Sequence, residues 1–361
     1  MPRVVFSIYD DPGNPHYGGG GAVVVQRIAR HLSDTHDVTV LAGSYRGSRA
    51  HLDGRVRYRY LPVGWAGARG GQLLFSMLAP LASLFLRHDV WVESFTPPFS
   101  VSLLPVLSRR PVIGLVQMLS AEDMEARYHL PFGIVERRGL RWYRNLVVLN
   151  EADRETVTRH SPKSRVWVVH NGVDVPPPEL VASGCGEHIL FLGRIDVRQK
   201  GLDLLVEAHA RAGTGLPLVI AGSGAPAELV ALRRLVDGRP DVRLVGQVAG
   251  QAKQDLLRHC AFLVMPSRFE TFGLCALEAM SYGKAVVYFD LPRLRWIAED
   301  CGVRVPPFDV HALAGAMHRL ATDDAARQQA GPPARATAEQ CAWARVADRY
   351  RAIIAEVVRG A

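Results

Sequence analysis

Short apolar runs alternate along the chain with longer amphipathic stretches, from its first residues to its last. A run of four to six apolar residues suits a strand buried on both faces, and the stretches between suit helices laid over a parallel sheet. In the first half the runs are Val4–Tyr9, Val38–Ala42, Val56–Leu61, Val90–Glu93, Val112–Gln117, Leu146–Leu149 and Val166–Val169. Helical periodicity falls on Ala22–Leu32, Leu73–Leu86 and Ala152–Arg159. The three prolines Pro176, Pro177 and Pro178, with Ser183-Gly184-Cys185-Gly186 close behind, interrupt the alternation and read as an interdomain linker. A second series follows, with strands at His188–Leu192, Leu218–Ala221, Val242–Val245, Phe262–Met265 and Ala285–Phe289. Its helices are Leu202–Ala212, Ala227–Val236, Ala249–Arg258, Leu274–Tyr282 and Arg293–Ile297, then Ala312–Leu320 and Trp343–Val358.

The pattern predicts an α/β protein of two Rossmann-like, doubly wound parallel-sheet domains. The first spans 1–175, a linker spans 176–187 and the second domain spans 188–342, with the helix in 343–361 packing back on the first. A length of 361 residues agrees with two cores rather than one.

Composition narrows the class. Apolar residues make up 48% and charged residues 22%, ordinary for a water-soluble domain. The longest apolar stretch, Gln72 to Leu86, is short for a bilayer span and contains Pro80. The opening MPRVVFSIYDD has no charged and apolar leader with a small-residue cleavage site, so a cytoplasmic location is expected. Five scattered cysteines form neither a C-x-x-C pair nor a metal set with histidine, and read as structural thiols. The formal charge is +8, carried almost wholly by arginine, since Lys163, Lys200, Lys253 and Lys284 are the only lysines. That balance suits phosphate-bearing ligands or an anionic membrane surface. The arginines are not interleaved with stacking aromatics, which disfavours nucleic acid.

The chemistry concentrates in Met265 to Val287. A buried strand ends near Pro266, a loop carries Glu270, Gly273 opens a helix and Glu278 lies one turn further in. The N–H groups at a helix start attract anions. Two carboxylates beside that point would repel phosphate, so they suit hydroxyl groups of ribose and of a second sugar; the plain alternative is a solvated loop glutamate and a helix-surface glutamate. This segment resembles the E-x7-E signature of glycosyltransferase family four, a retaining group with the GT-B fold. Glu270 and Glu278 match its glutamates, and Phe272-Gly273-Leu274 its phosphate-facing helix start. The likeness extends over nearly the whole chain. It includes Gly18-Gly19-Gly20-Gly21, His170-Asn171-Gly172-Val173-Asp174, Gly193-Arg194-Ile195-Asp196 through Lys200-Gly201, Ala221-Gly222-Ser223-Gly224, and Trp343 to Tyr350.

The resemblance implies transfer from a UDP- or GDP-sugar to a hydroxyl of a lipid, glycan or secondary metabolite, in a cleft between the domains and without a metal or other cofactor. Arg194 and Lys200 would neutralise the donor diphosphate, with Glu270 beside the reacting sugar. Gly19, Gly20 and Gly21 would face the phosphates, and Gly222, Gly224 and Val248 would line the nucleobase pocket. No Asp-x-Asp motif offers carboxylates to a diphosphate-bound metal. One departure stands out: many members have a histidine after the strand ending at Gln117, and none is present here. Gln117 keeps hydrogen-bonding capacity but does not titrate near neutrality. Glu122 and Asp123 either meet the acceptor or pair with neighbouring arginines. The segment Pro131–Trp142, with Arg137, Arg138 and Arg141, is either a membrane-facing basic helix or an ordinary surface helix. Competing readings are a sugar-nucleotide epimerase of the same fold, a glycan phosphorylase, for which the chain is short, and a non-catalytic nucleotide-sugar-binding subunit.

Overall fold

The computed structural model describes residues 1–14, 20–95, 101–119, 132–181 and 186–360. The chain forms two compact units, one of Met1–Gly172 with Trp343–Ala361 and the other of Val173–Ala342.

The first unit runs β1 (Arg3–Ser7), α1 (Gly20–Leu32), β2 (Asp37–Gly43), β3 (His51–Asp53), β4 (Val56–Leu61), α2 (Gly67–Ala82), β5 (Val90–Ser94), α3 (Leu104–Leu107), β6 (Val112–Val116), α4 (Phe132–Leu140), β7 (Asn145–Val148), α5 (Glu151–His160) and β8 (Arg165–Val168). Its sheet order is β3-β4-β2-β1-β5-β6-β7-β8, and every pairing is parallel except β3 with β4. The strand order reverses between β1 and β5. Helices cover both faces of the central strands, which is why β1, β2, β5 and β6 are nearly continuous apolar runs. Trp91 is fully buried at the centre, and its indole N–H donates to Ser7 Oγ at 2.8 Å, so its one polar atom is satisfied.

The second unit runs β9 (His188–Leu192), α6 (Leu202–Ala212), β10 (Leu218–Ala221), α7 (Pro226–Leu235), β11 (Val242–Gly246), α8 (Gly250–His259), β12 (Cys260–Met265), α9 (Leu274–Ser281), β13 (Val286–Phe289), β14 (Gly302–Val305), α10 (Val310–Thr322) and α11 (Asp324–Gln340). Its all-parallel sheet has the order β11-β10-β9-β12-β13-β14, reversing between β9 and β12. Ile189, Phe191, Leu205, Phe262, Val287 and Phe289 anchor its own core. The final helix, α12 (Trp343–Arg359), buries Val346, Tyr350 and Ile354 in the first unit, against α1.

Four elements depart from the sequence pattern. β3 and β14 lie at sheet edges, where one neighbour is missing and the apolar run is correspondingly short. The expected helix at Arg293–Ile297 is a single tight turn, Pro292–Leu294. Conversely, α11 continues through Pro332 and Pro333, held at its start by Asp323, whose carboxylate accepts the Ala326 N–H at 2.9 Å. Among the described residues no helix is long and apolar enough to cross a membrane.

Candidate functional site

Ligands of open parallel sheets bind beyond the carboxyl ends of the strands, where the strand order reverses. In the second unit that point lies between β9 and β12. The loop after β9 carries Arg194 and Lys200, and the loop after β12 carries Glu270, so three residues distant in sequence share one sheet edge.

Backbone contacts hold the two loops together. Gly201 sits at φ +64°, and any Cβ there would run into the carbonyl oxygen of Pro266. The Arg268 N–H donates to Gln199 O at 2.9 Å. Its guanidinium reaches Arg198 O at 2.8 Å and grips both oxygens of Asp203, at the start of α6, at 2.7 Å each. This two-pronged contact fixes the direction in which residues 268–270 leave the strand. Lys200 Nζ donates to Glu270 Oε1, and Ser267 Oγ reaches the same oxygen at 3.1 Å. The Lys200 and Glu270 side chains are only 16% and 10% exposed. Arg194 is more open to solvent and donates to the Gln199 side chain.

The next layer is α9. Gly273 takes a left-handed conformation at φ +82° and turns the chain into the helix. The first residues of α9, Leu274 and Cys275, present N–H groups that no preceding helical turn can satisfy. Phe272, almost fully buried, stacks on Trp296 with centroids 4.5 Å apart, and the Trp296 indole donates to Phe272 O at 2.8 Å. Glu278 accepts from Lys253 of α8 at 2.6 Å. Neither glutamate is therefore a free surface carboxylate; each holds a lysine, and these are two of the four lysines in an arginine-rich chain.

Gly222 and Gly224 have a structural reason to be glycine. A Cβ on Gly222 would strike Gly193 O, and one on Gly224 would strike Ile195 O. The Gly222 N–H is spent on Gly246 O at 2.7 Å. These glycines let the loops after β9 and β10 lie in contact, and Val248, which follows β11, is half-buried.

In the first unit, Gly20 and Gly21 begin α1. Gln117 leans on that start, its amide donating to Gly21 O at 3.3 Å, and a Cβ on Gly21 would meet Gln117 Oε1 at 3.0 Å. Gly19, Glu122 and Asp123 lie outside the described residues. Sequence reasoning did not single out Glu93, which lies near the end of β5 opposite Ser7 of β1, at the reversal point of the first sheet. The Tyr143 hydroxyl donates to Glu93 Oε2 at 2.6 Å and accepts from the Ser102 N–H at 3.1 Å. Burial pushes the Glu93 carboxyl up to about 7 and the Tyr143 hydroxyl well above its ordinary range. The signal available in the sequence was one acid inside an apolar strand.

Burial pushes the Cys260 and Cys275 thiols up to about 12, which disfavours the thiolate form a nucleophile needs. Among the described residues no group of three or more His, Cys, Asp or Glu has an arrangement able to hold a metal ion.

Residues 18–176 match the family model described as Glycosyltransferase Family 4, and residues 186–323 match the model described as Glycosyl transferases group 1. Among curated proteins, the chain is 30% identical to an alpha-maltose-1-phosphate synthase of Mycolicibacterium smegmatis, over 94% of this chain and 96% of that one. It is 25% identical to a GDP-mannose:cellobiosyl-diphosphopolyprenol alpha-mannosyltransferase of Xanthomonas oryzae, over 80% and 79% of the two chains. Among solved structures, a sucrose-phosphate synthase of Thermosynechococcus elongatus has the same fold, with a TM-score of 0.85 over 100% of both chains at 19% identity.

Proposed function

The chain belongs to glycosyltransferase family four, and on that premise we propose a division of labour for a transferase that takes its sugar from a nucleotide donor. Its two parallel-sheet units are those of the GT-B fold. The observation that carries the reading is the convergence of Arg194, Lys200 and Glu270 at the strand-order reversal of the second unit.

Arg194, Lys200 and the N–H groups opening α9 bind the donor diphosphate, where charge grows as the nucleoside diphosphate departs. Without donor, Lys200 is neutralised by Glu270. A bound diphosphate competes for that lysine and releases the Glu270 carboxylate to accept hydroxyl hydrogens of the transferred sugar. Glu278 holds the ribose, and Val248, with Gly222 and Gly224, borders the base. Attack comes from the face the diphosphate leaves, so the anomeric configuration is retained, and a donor phosphate oxygen takes the acceptor proton. The first unit serves the acceptor, with Gln117 and the segment containing Glu122 and Asp123 on that side. The donor is a UDP- or GDP-sugar, and the acceptor is a hydroxyl of a lipid-linked or free glycan. The named activity of the Xanthomonas relative, on a polyprenol-linked saccharide, supports the lipid-linked choice and a working position at an anionic membrane.

The test is a panel of UDP-, GDP- and dTDP-sugars, each screened for thermal stabilisation and then for transfer, with product configuration read by NMR. A β product from an α donor would exclude retention. Release of an isomerised sugar without acceptor would favour the epimerase. Because cations rather than carboxylates meet the diphosphate, transfer should survive excess EDTA; a strict need for magnesium or manganese would contradict the clamp.

A further inference from the structure

Helix α2 breaks the rule that a surface helix turns polar residues outward. Its inner face is ordinary: Phe75 and Ala79 are buried with Tyr9 and Val63, and Phe75 meets the Tyr9 ring edge-on at 5.7 Å. Its outer face carries Leu73, Met77 and Leu81, and the turn that ends it adds Phe85, each one helical turn after the last. Met77 is 61% exposed and Phe85 84% exposed. The neighbouring short helix α3 packs against α2 and points Leu103 and Val106 outward, Val106 being 58% exposed. A scattered surface leucine needs no explanation, but six large apolar side chains on two touching elements form a patch that does.

The charge around the patch is predominantly positive. Between Leu61 and Asp89 there is no acidic residue, and none between Val101 and Leu119. Exposed Arg87 follows α2, and exposed Arg109 and Arg110 follow α3. The patch also runs on towards the basic helix α4, since Gly139 lies directly against the Val101 side chain that leads into α3. There Ile134, Val135 and Trp142 are exposed beside Arg137, Arg138 and Arg141. Apolar side chains bordered mainly by cations, with Glu136 the one acid on α4, match the layered chemistry of an anionic bilayer, with acyl chains below and phosphates above. A protein partner would match the apolar part but would require a large acidic rim of its own.

We infer that the α2–α3 face, bordered by Arg87, Arg109, Arg110 and the arginines of α4, is a docking surface for an anionic lipid bilayer. Leu73, Met77, Leu81 and Phe85 enter the boundary between headgroups and acyl chains, and the arginines contact lipid phosphates. The inference rests on the membrane-side reading proposed above and adds which face carries it. It also reassigns the main contact from α4 alone to α2 and α3, where the apolar row is longer and more exposed.

Sedimentation with phosphatidylcholine vesicles, with and without one third phosphatidylglycerol, tests it on the full chain. The wild type should sediment with the anionic vesicles, and Met77→Glu with Phe85→Glu should lower the bound fraction about ten-fold. Arg109→Gln with Arg110→Gln should remove most of the preference for anionic lipid and its sensitivity to salt. Both double variants should transfer sugar to a water-soluble acceptor at the wild-type rate. Wild-type protein that stays in the supernatant, or a Met77/Phe85 variant that sediments as well as wild type, overturns the inference. So does a wild-type dimer, seen by light scattering, that the same substitutions convert to monomer, because the face would then join two copies. Loss of soluble-acceptor transfer in the variants would also overturn it. Vesicle binding by a wild type that transfers no sugar would leave the docking surface standing and remove the transferase reading instead.

Discussion

Lys200 and Glu270 lie so close together that neither can be read alone. Removing Glu270 frees Lys200 for phosphate, whereas removing Lys200 leaves a nearly buried carboxylate facing the donor. Lys200→Ala should therefore cut turnover at least ten-fold, roughly the loss of one charge-assisted contact of about 1.5–3 kcal/mol. Glu270→Gln should lower turnover more than nucleoside diphosphate affinity. Glu278→Gln should raise the dissociation constant of donor and of sugar-free nucleoside diphosphate together, because a ribose contact is equally present in ground and transition states. Steady-state kinetics and nucleotide titration on the three variants check this, and a binding loss confined to Glu270→Gln would reverse the two roles. Glu93 gives a pH signature. Its carboxyl rises from an ordinary value near 4.5 to about 7, so the folded chain holds a proton that the unfolded chain gives up. The stabilisation is complete below about pH 4.5 and is lost as pH rises through about 7. Glu93→Gln keeps an acceptor for Tyr143 without titrating. Its melting temperature should fall less than that of the wild type between pH 5 and 8, and parallel curves would refute the proposed proton.

Elements buried on both faces were legible in the sequence, and those fixed by tertiary contact were not. β9, β10 and α6 begin and end where the apolar pattern does, because each is sealed into the second core. Nothing local announces α11: Gly331-Pro332-Pro333 reads as a break, yet Ala330, Ala334 and Ala338 pack the helix against α9 despite the lost N–H groups. The site divides in the same way. Glu270, Glu278, Gly273 and Lys200 sit in local patterns that a sequence reading can single out. Lys253, Asp203, Arg268 and Trp296 matter through partners on other elements, and no spacing encodes such pairs. Trp296 shows what that costs a sequence reading, since it braces the turn into α9 through its stack and its bond to Phe272 O. Trp296→Ala should weaken nucleoside diphosphate binding about ten-fold while the circular dichroism spectrum stays that of the wild type, whereas Trp296→Phe, which keeps the stack, should recover part of the affinity. Unchanged titration curves for both variants would detach this brace from the phosphate site.

Across the whole molecule, the nucleotide contacts proposed for Arg194, Lys200, Val248, Glu270 and Glu278 all fall within Val173–Ala342, which has its own core and its own strand-order reversal. Hydrogen exchange with saturating nucleoside diphosphate should slow most in the segments 193–201, 246–250 and 270–278. Protection strongest in α10 or in β7 would argue for a different site. The other unit is interrupted in sequence: it starts at Met1, pauses at Gly172 and resumes only at Trp343. The indole of Trp343 fills the space that a side chain on Gly172 would need, and Arg351 of α12 donates to His31 O at 2.7 Å. On the ribosome, therefore, the first half of the chain emerges without the helix that packs on α1, which is translated only after the whole second unit. This differs from the usual arrangement, in which the leading domain is fully synthesised before the next begins. The second unit is fully synthesised first, and the unit begun earlier is completed by a helix made after it.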